Sequence, residues 1–191
     1  MTVRNSASST LPAGYRLHRS VDLKRDRRQF TAIQVVAVLI VGAMVGPVLL
    51  LDLLPAGGWS TWVTIFVTVA ACLVYGAVHE LTHGAVLRLL CDERPTVAVR
   101  FPYLITGSTA YLGRRSFAAV ALAPSVVWGL VLVVLLVVVP PQLVLTVFVV
   151  TVLNFAGSSG DYIQTYSTAR LPPEALIQDD GTTTTVFLPT S

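Results

Sequence analysis

Four long apolar runs constrain this chain more than any other feature it has. They are Phe30 to Leu54, Thr61 to Leu90, Ser116 to Val139, and Gln142 to about Ala156, the last continuing through Gly157-Ser158-Ser159-Gly160. A hydrocarbon core of about 30 Å takes about 20 residues of helix. Backbone at that depth must satisfy its own hydrogen bonds, which leaves helices or closed barrels. Only 12% of the residues are charged and 54% are hydrophobic, whereas soluble domains carry about 25% charge. A soluble globular protein is excluded. The expected fold is an all-α membrane protein with four transmembrane helices and a small cytosolic β-containing cap. Its expected organisation is a cytosolic basic arm over 1–29, a transmembrane core over 30–161 with spans about 30–54, 61–90, 116–139 and 142–160, and a cytosolic tail over 162–191. The first apolar run starts too far from Met1 for a cleavable signal peptide, so its span is expected to be retained.

The thirteen Lys and Arg residues set the expected orientation. Seven precede the first run, including Lys24, Arg25, Arg27 and Arg28; five lie in and around the segment between the second and third; Arg170 follows the fourth. The links Pro55–Ser60 and Pro140-Pro141 carry none. If all four runs span, every positive charge falls on one side. That side is the cytosol by the positive-inside tendency, making this a multi-pass cell-membrane protein with both termini cytoplasmic. Trp59 and Trp62 then belong at the outer interface, and Asp92 and Glu93 are interfacial charges. The net charge of +3 is explained by orientation and by attraction to anionic lipid. No nucleic-acid partner is called for.

The second run carries His79-Glu80-Leu81-Thr82-His83, an H-E-x-x-H motif. Positions i and i+4 share one helix face, so two imidazoles can meet one zinc ion (Zn²⁺) there. Glu80, next to them, can act as general base toward a water that the metal activates. Insertion scales put a carboxylate at mid-membrane about 2.5–3.5 kcal/mol uphill, a cost a non-functional residue has little reason to sustain. The bland alternative is a structural polar cluster between helices. Cys72 and Cys91, about 28 Å apart on one helix, cannot form an intrachain disulfide and read as small buried residues.

A catalytic zinc usually takes three protein ligands and leaves one position open. Asp161 suits the third place. The second and fourth runs go the same way through the membrane. His79 and His83 lie about 26–32 Å down one from Trp62, and Asp161 about 29 Å down the other from Gln142. The rival reading of Asp161 is an N-cap for a short tail helix, Tyr162 to Arg170. His18, Asp179 and Asp180 are the next candidates for the third ligand. Asn154, two turns above Asp161, reads as a substrate-carbonyl or oxyanion contact, with an interhelical hydrogen bond as its alternative. Pro124 is expected to kink the third helix, free a carbonyl and give water a route to the site, unless it is simply a tolerated membrane proline.

His79-Glu80-Leu81-Thr82-His83-Gly84, the Ala-Leu-Ala-Pro of Ala121–Pro124, and Asn154-x-x-Gly157-Ser158-x-Gly160-Asp161 together resemble the zincin-peptidase family of small four-span membrane proteins. That family is similar in outline to the site-2 proteases. The resemblance covers roughly Tyr15 to Pro189 and implies that Asp161 matches the aspartate completing the site-2-protease metal site. The Asn-x-x-Pro and Leu-Asp-Gly signature of site-2 proteases is not reproduced here.

Two segments outside the runs alternate as strands do. Thr96 to Phe101 is expected to pair with Gly107 to Leu112, and Ala175 to Gln178 with Thr182 to Leu188 across Asp179-Asp180-Gly181. An edge there could take an extended substrate by strand addition, or be a plain cap. The function expected from all this is an integral-membrane zinc metalloendopeptidase acting near the cytosolic face on a membrane protein or peptide. The alternatives are a structural zinc clasp without catalysis and a metal-ion carrier.

Overall fold

The computed structural model describes residues 10–22, 25–55, 57–91, 96–100 and 103–190, with backbone alone for 96–100 and 103–106. Lys24, Asp92, Glu93 and Phe101, on which sequence expectations fell, lie outside the described residues. The first long helix, α1 (Arg27–Leu50), starts where the Asp26 carboxylate accepts the backbone N–H groups of Arg28 and Gln29 at 3.0 and 3.2 Å. That N-cap satisfies two donors the helix itself cannot. The second, α2 (Thr61–Leu90), is 30 residues long, about 45 Å, longer than the roughly 30 Å hydrocarbon thickness of a bilayer. The third is α3 (Arg114–Val138), with Pro124 inside it. Pro140 and Pro141 open α4 (Pro141–Gly157), where the missing N–H costs nothing.

The helical backbone continues past residue 160. A one-residue break at Ser158 separates α4 from the more polar α5 (Ser159–Ala169), and the two follow one another over 29 residues, Pro141–Ala169. The break is bound locally. The Ser158 hydroxyl donates to the Asn154 carbonyl at 2.9 Å and that of Ser159 to Ala156 at 2.7 Å. Among the described residues, four helices are long and apolar enough to cross a membrane, as expected of a multi-pass membrane protein. α4 packs against α1, α2 and α3, while α1 lies against α4 and α5 and contributes no buried residue. Large apolar side chains point outward on all of them, among them Val38, Phe66, Leu130 and Leu145. Exposure on that scale suits lipid rather than water.

A sheet closes one end of the bundle. Its strands are β1 (Tyr15–Asp22), β4 (Leu112–Gly113), β5 (Leu176–Asp179) and β6 (Thr183–Pro189), in the order β1-β6-β5-β4 and all antiparallel. These come from before α1, between α2 and α3, and after α5. All three segments therefore lie at the same end of the helices. Leu87 of α2 and Cys91 just after it, Phe117 and Ala121 of α3, Leu112, Ile177 and Val186 form one apolar cluster that joins bundle to sheet. A smaller one, Tyr75, Leu132 and Val150, sits further up.

β1 falls in the stretch that sequence reading left as a bare polar arm. It pairs along β6 from Tyr15↔Pro189 to Asp22↔Thr183, with an irregularity between Leu17 and Arg19. As an outer strand it keeps Arg16, His18 and Arg19 exposed, and such polar edges guard against strand addition. The second expectation to be corrected is the hairpin partner of β2 (Thr96–Arg100). That partner is β3 (Tyr103–Gly107), from Arg100↔Tyr103 to Thr96↔Gly107, so of the expected stretch 107–112 only Gly107 takes part. A short loop closes at lower entropic cost than a long one, and Leu112 is taken by Ile177 of β5. At Gly107 any Cβ would stand 2.2 Å from the Asp180 carbonyl oxygen, so only glycine fits. The adjacent Ser108 N–H donates to the Asp179 carbonyl at 2.8 Å.

The end of β5 holds a half-buried acid. Asp179 accepts the Gly181 N–H at 2.8 Å through one oxygen, and its other lies 3.0 Å from the Thr184 hydroxyl. That hydroxyl is also 2.8 Å from the Gln164 side-chain oxygen. Thr184 has one proton for two acceptors. Protonating Asp179 resolves the conflict, since the acid then donates to Thr184, which donates to Gln164. Burial pushes the Asp179 carboxyl above its ordinary value, with smaller contributions from the Asp180 and Asp161 charges and opposition from its hydrogen bonds. A folded-state pKa raised in this way gives stability that is fully present below the ordinary carboxylate range and is lost as pH rises through the raised value. Asp179→Asn, which mimics the protonated acid, is expected to flatten that loss and to match or exceed the wild-type melting temperature at neutral pH. Melting curves of both proteins across pH in detergent decide this, and parallel pH profiles would count against it.

Candidate metal centre

Tyr75, His79 and His83 are spaced four apart on α2 and so share one face. The imidazoles of His79 and His83 stand edge to face, with ring centroids 5.0 Å apart. Each is largely enclosed, 13% exposed. What their Nδ1 atoms touch determines what their Nε2 atoms can do. His83 Nδ1 lies 2.9 Å from the Val120 carbonyl of α3, which can only accept, so Nδ1 carries the proton. His79 Nδ1 lies 3.2 Å from the Tyr75 hydroxyl. That hydroxyl makes a close contact in which it donates to Asn154 Oδ1, so its oxygen accepts from His79. Asn154 in turn donates through Nδ2 to the Ser125 carbonyl at 3.1 Å. Both rings thereby hold a proton on Nδ1 and present an Nε2 lone pair to the same space.

Asp161 closes that space from α5. Its two oxygens lie 3.6 Å from His79 Nε2 and 3.8 Å from His83 Nε2. These separations are too long for hydrogen bonds. They approach the spacing of ligands around a tetrahedral zinc, where bonds of about 2.0–2.1 Å put neighbouring donor atoms about 3.4 Å apart. The donor set, two neutral imidazoles and a carboxylate, fits zinc chemically. Asp161 sits in the first turn of α5, where the helix dipole favours negative charge. Ser158 holds the N-cap position, so Asp161 is not the cap of that helix. Glu80 also lies close: ligand atoms of His79, Glu80 and His83 all fall within 4.8 Å of one another.

Hydrogen bonds between helices hold the centre in place. The Thr82 hydroxyl, inside the motif, donates to the Val78 carbonyl at 2.8 Å and accepts the Trp128 indole N–H of α3 at 2.9 Å. The Ser125 and Tyr162 hydroxyls make a close contact that joins α3 to α5. Higher up, Thr68 and Thr146 link α2 to α4 at 2.8 Å.

Of the other candidates, Asn154 is 0% exposed and engaged at both ends of its amide. The structure shows the interhelical bonds that are the alternative reading of Asn154. Asp179 ends β5 and Asp180 lies in the turn to β6. His18 is on β1, facing a separate hollow with Gln29, Gln164 and Thr184. None of these three joins the imidazole cluster among the described residues. Sequence reading passed over Tyr75, although its place one helical turn before His79 was a usable signal. Ser125, Trp128 and Tyr162 gave none, because their contacts are between helices.

A model of the family described as "Putative zincin peptidase" matches residues 72–176. The match takes in more than half of the chain, from within α2 to the start of β5, and includes His79, Glu80, His83 and Asp161. No curated protein and no solved structure matches the chain.

Proposed function

The chain belongs to the zincin-peptidase family, and from that membership we propose that it is an integral-membrane zinc metallopeptidase cleaving peptide bonds near the cytosolic face. The observation that carries the proposal is the placing of two Nε2 lone pairs 3.6 and 3.8 Å from one carboxylate with no hydrogen bond between them. In this reading His79, His83 and Asp161 hold the metal. A zinc ion there supplies Lewis acidity, bringing the pKa of a water toward neutrality and polarising a peptide carbonyl. Glu80 takes the proton of the attacking water and delivers it to the leaving amine. Tyr75 and the Val120 carbonyl keep both imidazoles in the metal-binding tautomer. Asn154 acts through Tyr75 and not on substrate.

The substrate in this proposal is a membrane protein or a peptide reaching the site from the cytosol. The shared sheet supports a common side for both termini. The concentration of basic residues near that end supports the cytosol as the side. A reporter placed at Gly57-Gly58 is expected to be external and tags at both termini internal; an external C-terminus would overturn this topology. Activity is tested with purified protein in liposomes and fluorescent casein as probe. Hydrolysis should disappear on chelation and return with zinc, and hydrolysis indifferent to chelation would overturn the assignment. A structural clasp is the second reading, favoured by the nearness of Glu80 to both imidazoles, since Glu80 as a fourth ligand would close the site.

A further inference from the structure

We infer that Pro124 is a positioning residue for His83, acting by keeping the Val120 carbonyl out of the α3 hydrogen-bond ladder. The inference rests on the zinc-site reading above and adds to it what sets one ligand's tautomer. In an α-helix the carbonyl of residue 120 accepts the N–H of residue 124. Proline has no N–H and its ring crowds that same carbonyl. α3 nevertheless runs unbroken from Arg114 to Val138 through Pro124, although the proline is fully buried and Val120 is nearly so. A carbonyl stranded in such surroundings has no water to turn to. His83 Nδ1–H meets it at 2.9 Å.

The exchange is mutual. The freed carbonyl gains a donor, and the imidazole gains a neutral acceptor fixed in a packed helix, which orients the ring without adding charge beside the metal. The other imidazole is referred to the same stretch of α3. His79 reaches it through Tyr75 and Asn154, whose amide donates to the carbonyl of Ser125, the residue after Pro124. Residues 120–125 thus orient both histidines, one directly and one through two side chains. This accounts for a proline at a position that a helix would otherwise disfavour.

Pro124→Ala and Pro124→Val both return an N–H to position 124, the first leaving space and the second filling it. Each lets the helix reclaim the Val120 carbonyl in competition with His83. The apoprotein should then melt at the wild-type temperature or above, because a helix interior prefers either residue to proline. Zinc affinity, measured by competition with a chelating dye, should fall about 10- to 100-fold, the range for lost outer-shell partners. Nitrogen-15 spectra of the apoprotein should show His83 shifting from a single Nδ1–H tautomer to a mixture. A proline serving only the shape of α3 predicts altered stability with unchanged affinity and tautomer. If wild type binds zinc and either variant, folded, binds it within twofold of wild type, the inference falls and the zinc-site reading stands. If wild type binds no zinc, that reading itself fails.

Discussion

Replacing Glu80 by glutamine will reduce peptide hydrolysis by about 10²- to 10⁴-fold, the range for a lost general base, while one zinc per chain remains bound. Glutamine keeps the size and the carbonyl oxygen of the side chain but cannot take a proton at neutral pH. The ligand positions, in this account, belong to His79, His83 and Asp161, so the substitution leaves the donor set intact. The structural-clasp reading gives the opposite pattern. There Glu80 is the fourth ligand, and Glu80→Gln weakens zinc binding in a protein that had no activity to lose. Zinc content and casein hydrolysis, measured on one preparation of each protein, separate the two. Retained zinc with retained activity would contradict both.

Asp161 produces the second large effect. Asp161→Ala removes a carboxylate whose oxygens lie 3.6 and 3.8 Å from the two Nε2 atoms. Zinc affinity should drop by more than the roughly 10- to 100-fold that follows loss of an outer-shell partner. Asp161→Asn keeps an oxygen in place without the charge, so its loss should be smaller. A helix-capping role would give another ranking, with asparagine nearly neutral and alanine costing about 1 kcal/mol of stability at unchanged affinity. Asp161 lies inside α5, past its N-cap position, and its oxygens face both imidazoles, which is why the metal ranking is expected. Chelator-competition titrations of the two folded variants settle the order. Equal zinc affinity in wild type and Asp161→Ala would remove this residue from the site.

What could be read beforehand was what is local in the chain. His79 and His83 share a face because the helix repeat puts residues four apart together, and that needs no knowledge of the fold. The four spans follow from composition over windows of some twenty residues. Asp161 was approachable by counting helical rise along two runs in the same direction, since depth in a membrane is a one-dimensional quantity. The remainder depended on pairings between distant segments. The bond from Tyr75 to Asn154 joins residues 79 positions apart, and nothing in either neighbourhood announces the other. Sequence alone therefore left Asn154 open between a substrate contact and an interhelical hydrogen bond, and the structure shows the bond. β1 was hidden because an exposed edge strand carries polar residues on both faces. The hairpin partner of β2 was misjudged because alternation marks strands but not which strand pairs with which. Gly157 to Gly160 looked like the end of a span, yet the Ser158 and Ser159 hydroxyls bond back to helix carbonyls and the chain resumes its helix at once.

The most direct test of the central claim is the zinc K-edge absorption spectrum of the purified, zinc-loaded protein. The account predicts a tetrahedral first shell of two imidazole nitrogens and two oxygens at about 2.0–2.1 Å, one oxygen from Asp161 and one from exchangeable water. It predicts no sulfur. A sulfur shell near 2.3 Å, which would have to come from Cys72 or Cys91, or a protein that retains no zinc at all, would contradict it.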